Sequence, residues 1–563
     1  MVKKLLSLIH KEFSGITEAA FLLAGFAFLS QILGLIRDRS FAHVLGASGS
    51  MDVYYASFRI PDLMFNSVST MVSITVLLPF VIERLKGDEN NTTEARAFLS
   101  QVFSGFLALM AVVSVVLFVL MPDIAPYVAP GFDATQLRDL VLTSRMMLLS
   151  PIFLGLSNLF GTVTQLYRKF FVYALAPVLY NAGILLGIYF FYPSLGVMGL
   201  GVGVVIGAIF HMIIQLPILY SHSFAPKLVG SLDKKLLKDV VLLSLPRTLG
   251  LSLNSFALLV LIAIASLMDE GSISIFSFAY NLQAVPISII GVSYSVAAFP
   301  TLAKAFSLGK LDEFRHSIMT SMRQIIFWSM PVIVLFVVLR AQIVRVILGT
   351  GMFTWDDTRL TAASLALFAF SVVAQSLIVL LTRGYYAAGR TKRPLIINII
   401  FTLSEIVFAF GFLMLYDNAP LFAHFLDSLL RVDGIEGTRI LMLPLGYACG
   451  IIANAFALWL MFRKDYFSEV KTNIKRVGFE SVASSMILGF VTYKALSLLD
   501  NVFDINTFWG IFLQGFIAGI IGLIAWAGIL YLLRSRELTE VASALHKKFW
   551  KQAVVVPDQN IAD

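Results

Sequence analysis

The stretch from Leu33 to Asp62, LGLIRDRSFAHVLGASGSMDVYYASFRIPD, ends one apolar segment and begins another. It gathers Arg37, Asp38, Arg39, Asp52, Arg59 and Asp62, and it sets Pro61 inside the second apolar run. Proline has no N–H for an interior helical turn, so the spacing predicts a broken helix there. Charge beside a broken helix is tolerated at membrane depth where it faces a polar cavity. The rest of the chain must therefore build that cavity, and the chemical question is what enters it.

Composition agrees. Of the 563 residues 58% are hydrophobic and 13% charged, with mean hydropathy +0.86, whereas soluble domains carry about 25% charged residues. The chain reads as an all-α polytopic membrane protein with no large soluble domain. The N-terminal MVKKLLSLIHKEFSG is a short basic amphipathic stretch. It lacks the apolar core and small-residue site of a cleaved signal, so it is expected to be retained. The single Cys449 excludes an intrachain disulfide and a thiolate-rich metal site. The seven His include no pair at metal-ligand spacing, and His211, in an apolar segment, reads as a packing residue. There is no Gly-rich phosphate loop with its Lys and no Ser/His/Asp or Cys/His set, so the chain reads as no enzyme and as needing no cofactor. Energy would come from a Na+ or H+ gradient, the membrane potential or consumption of the substrate.

A membrane-spanning helix needs roughly 20 mostly apolar residues. About fourteen such spans are predicted: 18–36, 54–82, 98–121, 139–165, 171–192, 198–220, 240–267, 272–303, 318–348, 359–382, 394–416, 440–462, 477–499 and 507–533. With the N-terminus inside, 30 of the 42 Lys and Arg fall on inside connections and tails, 8 on outside ones and 4 within spans (Arg59, Arg145, Arg247, Lys494). This bias predicts that both termini are cytoplasmic. The outside connection 417–440 contains LFAHFLDSLLRV, and the tail contains LTEVASALHKKFWKQ. Both have the spacing of surface-lying helices.

The chain repeats itself. Pro177-x-x-x-Asn181 recurs as Pro394-x-x-x-Asn398, and Pro79 recurs as Pro300. Spans 1–6 are thus duplicated as spans 7–12 in the same orientation, which predicts two pseudo-symmetric six-helix lobes about an axis along the membrane normal. The expected organisation is an N-lobe at 1–222, a C-lobe at 223–465, two further helices at 466–534 and a cytoplasmic tail at 535–563. Gly199, Gly201, Gly203 and Gly207 in span 6, and Gly446 and Gly450 in span 12, have small-residue spacing for close helix packing.

The candidate site is cationic. Arg at mid-membrane costs roughly 2.5–3.5 kcal/mol on insertion scales, so Arg37, Arg59, Arg145 and Arg247 are expected to be paired or functional. If they share one cavity with Asp38 and Asp52, the cavity suits an anion, above all a phosphate, which a guanidinium grips with two parallel bonds. The alternative is local pairing, such as Arg37 with Asp38 or Asp52, or snorkelling to the head groups. Asn398, Thr402 and Glu405 share a face of span 11 and form a candidate ion or proton site, with an interhelical hydrogen-bond cluster as the alternative.

These residues point to a family. LGLIRD (33–38), Asp52-Val-Tyr-Tyr-Ala-Ser-Phe-Arg-Ile-Pro61, Ala129-Pro-Gly-Phe132, Ala176-Pro-x-x-x-Asn181, Gly351-Met-Phe-Thr354 with Asp357-Thr358, Arg383-Gly-Tyr-Tyr-Ala387 and Thr391-Lys-Arg-Pro394 together resemble the MurJ (MviN) lipid II flippases from about residue 18 to 465. The resemblance implies the fourteen-helix fold of the multidrug/oligosaccharidyl-lipid/polysaccharide exporter superfamily. It implies movement of lipid-linked peptidoglycan precursor from the inner to the outer leaflet of the bacterial cytoplasmic membrane by alternating access. It also implies a groove for the lipid tail on the last two helices. The sequence departs from the family at set places. Gln31 stands where members carry Arg, and Phe65-Asn66 where they carry a basic pair. Ser69-Thr70-Met71 replaces an acidic-Gly-Ala turn, and Tyr280-Asn281 replaces an Asp-Arg pair. Arg145 and Arg247 are the residues that would compensate. The competing readings are a flippase for another polyprenyl-pyrophosphate glycan, a cation-coupled drug exporter, and a non-transporting scaffold for cell-wall synthesis proteins. A drug exporter for small cations favours acidic cavity residues, and the spans here lean basic.

Overall fold

The computed structural model describes residues 16–85, 92–467 and 474–540. The side chains of residues 16–21, Thr75, Pro246, Arg247, 474 and 475 lie outside that description. So do the basic N-terminal stretch and most of the tail helix expected from the sequence. Among the described residues every regular element is a helix, as lipid requires of a chain without a closed barrel.

The helices in order are α1 (Ile16–Leu45), α2 (Gly49–Ser57), α3 (Arg59–Ser67), α4 (Ile74–Leu85), α5 (Thr93–Val128), α6 (Ala134–Met147), α7 (Leu149–Leu166), α8 (Phe170–Leu186), α9 (Val197–Ile213), α10 (Lys234–Ala265) and α11 (Ser272–Pro286). They continue with α12 (Ser293–Ser307), α13 (Leu311–Val338), α14 (Arg340–Ile347), α15 (Trp355–Ala369), α16 (Val372–Ala387), α17 (Lys392–Asn418), α18 (Pro420–Leu430), α19 (Met442–Tyr466), α20 (Ile474–Leu499) and α21 (Phe508–Leu532). Among the described residues eleven helical segments are long and apolar enough to cross a membrane, some joining two of these helices, or thirteen if two broken pairs each make one span. The 30-residue α1 stands outside that number, so the fourteen spans predicted are consistent with the fold.

The predicted break falls at Phe58, three residues before Pro61. Pro61 sits in the first turn of α3, where a missing N–H is tolerated. The Ser57 carbonyl, which Pro61 cannot reach with an N–H, accepts instead from Ser144 Oγ at 3.3 Å. After α3 a 3₁₀ turn over Ser69–Val72 leads into α4, and the chain bends by 44° there.

The molecule has two compact units. The first comprises residues 1–285, 344–371 and 389–458. In it α8 and α9 pack backbone to backbone. A Cβ on Gly183 would lie 2.3 Å from Gly207 Cα, and one on Gly187 would lie 2.7 Å from Gly203 Cα. α17 and α19 meet the same way, with Gly446 against Ala409 and Gly450 against Glu405. Glycine spacing read from spans 6 and 12 thus marks helix contacts. Two capping boxes start corresponding helices of the two repeats: Asp133 with Gln136 on α6, and Thr354 with Asp357 on α15. Such caps satisfy helix-start N–H groups and are worth about 1 kcal/mol each.

The second unit comprises residues 286–343, 372–388 and 459–563. Its core includes Phe327, Leu488, Trp526 and Leu530, and a second cluster of Leu339, Ala495, Leu496 and Ala518. α20 and α21 approach closely at Gly522, where a Cβ would meet Thr492 Oγ1 at 2.0 Å.

Replacing Gly207 by Val is expected to destabilise the protein by about 1–3 kcal/mol through overpacking. Gly411, on a lipid-facing position with open space around it, is expected to accept Ala without loss. Thermal unfolding of both variants in one detergent checks the pair; equal melting temperatures would refute the packing account.

Candidate substrate-binding site

The charges of the Leu33–Asp62 stretch divide into two groups. The first lies within the bundle. Arg37 on α1 donates to Asp38 Oδ1 from Nε at 2.9 Å and from a terminal nitrogen at 2.7 Å, and its other terminal nitrogen donates to Asn181 Oδ1 on α8 at 3.0 Å. Asp38 is buried and its second oxygen accepts from Asn281 Nδ2 on α11 at 3.4 Å. Local pairing and a role in the interior thus coexist: Arg37 is paired with its neighbour, and the pair is tied to both sequence repeats. Tyr180, hydrogen-bonded to Ser150, interacts electrostatically with both Arg37 and Asp62. Arg59 is half-buried. Its Nε donates to the Tyr55 carbonyl at 3.2 Å, and its charge is felt by Asp62 and Tyr280. Its terminal nitrogens hold no hydrogen bond among the described residues. A guanidinium held by one nitrogen keeps a fork of two donors, the geometry that pairs with carboxylates and phosphates.

The second group closes one end of the bundle. Asp52 on α2 is 4% exposed. Its Oδ2 accepts from the Gly271 N–H at 2.8 Å, and its Oδ1 accepts from the Ser274 N–H at 2.8 Å and the Ser274 hydroxyl at 2.5 Å. It therefore caps the start of α11, and both its oxygens are occupied. Glu270, just before α11, accepts from the Gly49 N–H at the start of α2 at 2.6 Å. Each helix start is thus capped by a carboxylate carried near the other.

Around these caps the connecting loops interlock. A Cβ on Gly131 would fall 1.9 Å from the Ser266 carbonyl oxygen, and one on Gly351 would fall 2.1 Å from that of His43. Gly131 and Gly351 stand 220 residues apart, matching the repeat offset. The first connection of each repeat meets the third connection of the other.

The remaining predicted residues lie elsewhere. Arg145 Nε donates to the Phe118 carbonyl at 2.8 Å, and its guanidinium lies 4.5 Å over the Phe118 ring. No contact brings it to the Arg37 cluster among the described residues. The Arg247 side chain is outside the described residues. Glu405 and Thr402 are buried on α17, and Asn398 accepts from Asn454 Nδ2 at 3.3 Å.

Sequence reasoning took Asn181 as a repeat marker and passed over it as a partner of Arg37. It missed Glu270, which nothing but its place before a span start signals. Two of the departures from the family pattern, Asn66 and Thr70, lie with Ser67 in a neutral seam between α3 and its 3₁₀ turn on one side and α10 on the other. Asn66 donates to Ser255 Oγ at 2.7 Å, Ser67 meets Ser252 at 2.9 Å, and Thr70 meets Thr248 at 3.3 Å.

Asp52→Ala leaves the N–H groups of Gly271 and Ser274, just before and within the first turn of α11, without acceptors, at a cost of about 1–3 kcal/mol each. The variant is expected to melt earlier. In a Cys449→Ser background it should also react faster at an introduced Ala47→Cys with a membrane-impermeant maleimide. Unchanged labelling would mean that Asp52 does not hold this end closed.

Comparison with known proteins places the geometry in a family. A sequence model of the family described as "Lipid II flippase MurJ" matches residues 41–513. A probable lipid II flippase MurJ of Bdellovibrio bacteriovorus is 27% identical over 93% of this chain and 96% of its own length. The lipid II flippase MurJ of Burkholderia cenocepacia is 27% identical over 68% of this chain and 75% of its own. Among solved structures, a lipid II flippase MurJ in an inward closed conformation superposes with a TM-score of 0.71 at 21% identity, covering 91% of this chain and 99% of that one. An inward-facing multidrug transporter of the MATE family, in the MOP superfamily, gives 0.62 at 15% identity, covering 79% and 96%. At these identities the structural matches speak for the fold. The match of the family's sequence model over most of the length carries more: this chain, a multi-pass helical membrane protein, belongs to the MurJ family of lipid II flippases.

Proposed function

We propose that this protein carries lipid II, the lipid-linked peptidoglycan precursor, from the inner to the outer leaflet of the bacterial cytoplasmic membrane for cell-wall synthesis. Family membership supports the substrate. The observation that carries the mechanism is the half-buried Arg59, with an open guanidinium fork, which has Tyr55 as a common electrostatic neighbour with Arg37 and Asp38. In this reading Arg59 and Arg37 hold the pyrophosphate of the substrate, while Asp38 and Asn181 keep Arg37 oriented. Asp52 acts on the cycle by closing one end rather than by touching substrate. Spans 1–6 and 7–12 act as the two lobes (1–222 and 223–465) that rock about the site, and residues 466–534 offer the lipid-facing groove for the tail. The distribution of Lys and Arg supports cytoplasmic termini and a sealed end on the outside. An Asn398, Thr402 and Glu405 site on α17 supplies the coupling ion.

One observation favours a second reading, a related polyprenyl-pyrophosphate glycan. Two positions that differ from the family pattern, Asn66 and Thr70, line a neutral seam with Ser67, and Asn281 reaches Asp38 where an Arg is usual.

The test is rescue of a bacterium depleted of its own flippase, with outer-leaflet lipid II measured directly. Rescue is expected for the protein as it stands. Arg59→Ala at equal membrane abundance is expected to lose it, with transport falling at least tenfold for one lost charged hydrogen-bond pair worth about 1.5–3 kcal/mol. Absence of rescue, with another lipid-linked glycan bound instead, would select the second reading.

A further inference from the structure

We infer that Glu405 is a proton-carrying site, and that its protonation is transmitted to the substrate cluster through Tyr447, Tyr280 and α11. This rests on the transport reading above and deepens it by choosing the coupling ion.

Glu405 is the middle residue of the 27-residue α17, so it sits near the centre of the span. Its neighbours Leu403, Val407 and Phe408 are exposed on the lipid side of the helix, whereas Glu405 is 3% exposed and faces inward. No ion pair holds it among the described residues, and its Oε2 is buried without a hydrogen-bond partner. Gly450 of α19 lies against its Cα and Cγ. That contact excludes a bulky counter-ion from this side. A carboxylate with no partner cannot stay ionised in such surroundings; it takes up a proton instead. An unpaired carboxylic acid at mid-membrane is expensive and is kept where a proton is moved. A structural role would be met as well by Gln or an apolar residue.

The groups that face Glu405 make the link. Tyr447 on α19 and Tyr280 on α11 both interact electrostatically with it. The Tyr447 hydroxyl is hydrogen-bonded to that of Tyr280, with the rings 5.8 Å apart, and Tyr280 is also hydrogen-bonded to Asn254 of α10. α10 thus offers a neutral amide here. On α18, Asp427 is taken by Tyr416, eleven residues further along α17. Behind Tyr280 stands Arg59, and the next residue, Asn281, holds Asp38. Loss of the proton leaves an anion that needs a donor. The Tyr447 hydroxyl supplies it by turning from Tyr280 to Glu405. That frees the Tyr280 oxygen and loosens α11 beside Arg59 and Asp38. Proton uptake restores the present arrangement.

The experiment uses the full-length protein in proteoliposomes. First, with no substrate, infrared difference spectra are recorded across a pH titration. A protonated-carboxyl band that disappears as pH rises is expected in the wild type, absent in Glu405→Gln and displaced in Glu405→Asp. A band that never titrates, or one that survives in Glu405→Gln, overturns the proposal. Second, flipping of fluorescent lipid II is measured with and without an imposed pH gradient, with a Na+ gradient as the contrasting arm. Stimulation by the pH gradient is expected in the wild type and lost in Glu405→Gln, while Glu405→Asp keeps it. Stimulation by Na+ alone, or equal stimulation of the Gln variant, overturns it. Titration without any flipping of lipid II would leave the proton site standing and refute the substrate reading.

Discussion

Two helix starts that cap each other hold the fold at one end. The first N–H groups of a helix have no partner within it, and in lipid or a protein interior an unmet N–H costs several kcal/mol. Here Asp52 meets those of α11 and Glu270 meets one of α2. The positive ends of both helices thereby face a carboxylate. Because the two caps are reciprocal, neither helix start can move away without exposing donors on both. The glycine contacts at Gly131 and Gly351 reinforce this, since each admits a carbonyl from the opposite repeat where no side chain fits. A contact set of this kind is made or lost as a unit, which is what a two-state gate needs.

Within the bundle the same economy governs charge. Arg37 and Asp38 form a short pair whose remaining lone pairs and protons go to Asn181 and Asn281. A buried ion pair is stable only when its other hydrogen-bonding capacity is met in this way. Arg145 is settled differently, by a backbone carbonyl and an aromatic face on α5. Arg59 keeps an unfilled fork. The sequence presented four comparable arginines in the membrane, and packing gives the three whose side chains are described, Arg37, Arg59 and Arg145, unequal surroundings.

How far these tasks were legible follows from what encodes them. The all-helical membrane fold rests on apolar run length, and the repeat rests on spaced Pro, Asn and Gly, so both are written in side chains along the chain. The Pro61 break was legible to within three residues, because proline states that a hydrogen bond is missing but not where the preceding helix yields. The Arg37–Asp38 pair was legible as neighbours. The caps on α11 and α2 were not, because their donors are backbone N–H groups that every residue carries. The partner of Arg145 was not legible for the same reason, its acceptor being the Phe118 carbonyl. The Asn181 side chain was visible, but only the close crossing of α1 and α8 gives it a partner.

The neutral seam at Asn66, Ser67 and Thr70 bears on how the molecule moves. Interhelical hydrogen bonds between uncharged side chains in membranes are worth about 0.6 kcal/mol on average, whereas breaking a buried ion pair exposes two charges to a low dielectric and costs far more. Three such bonds between α3, its 3₁₀ turn and α10 can be exchanged for bonds to water or substrate at little net cost. The reciprocal caps at the other end cannot, because each carboxyl group there is bonded to helix-start N–H donors that would be exposed together. Resistance to opening is therefore concentrated at the capped end, and the seam contributes register with little resistance. Proton movement at Glu405 fits this distribution: it changes charge at one buried point, and α11 connects that point to the capped end through Ser274 and to the arginine cluster through Asn281.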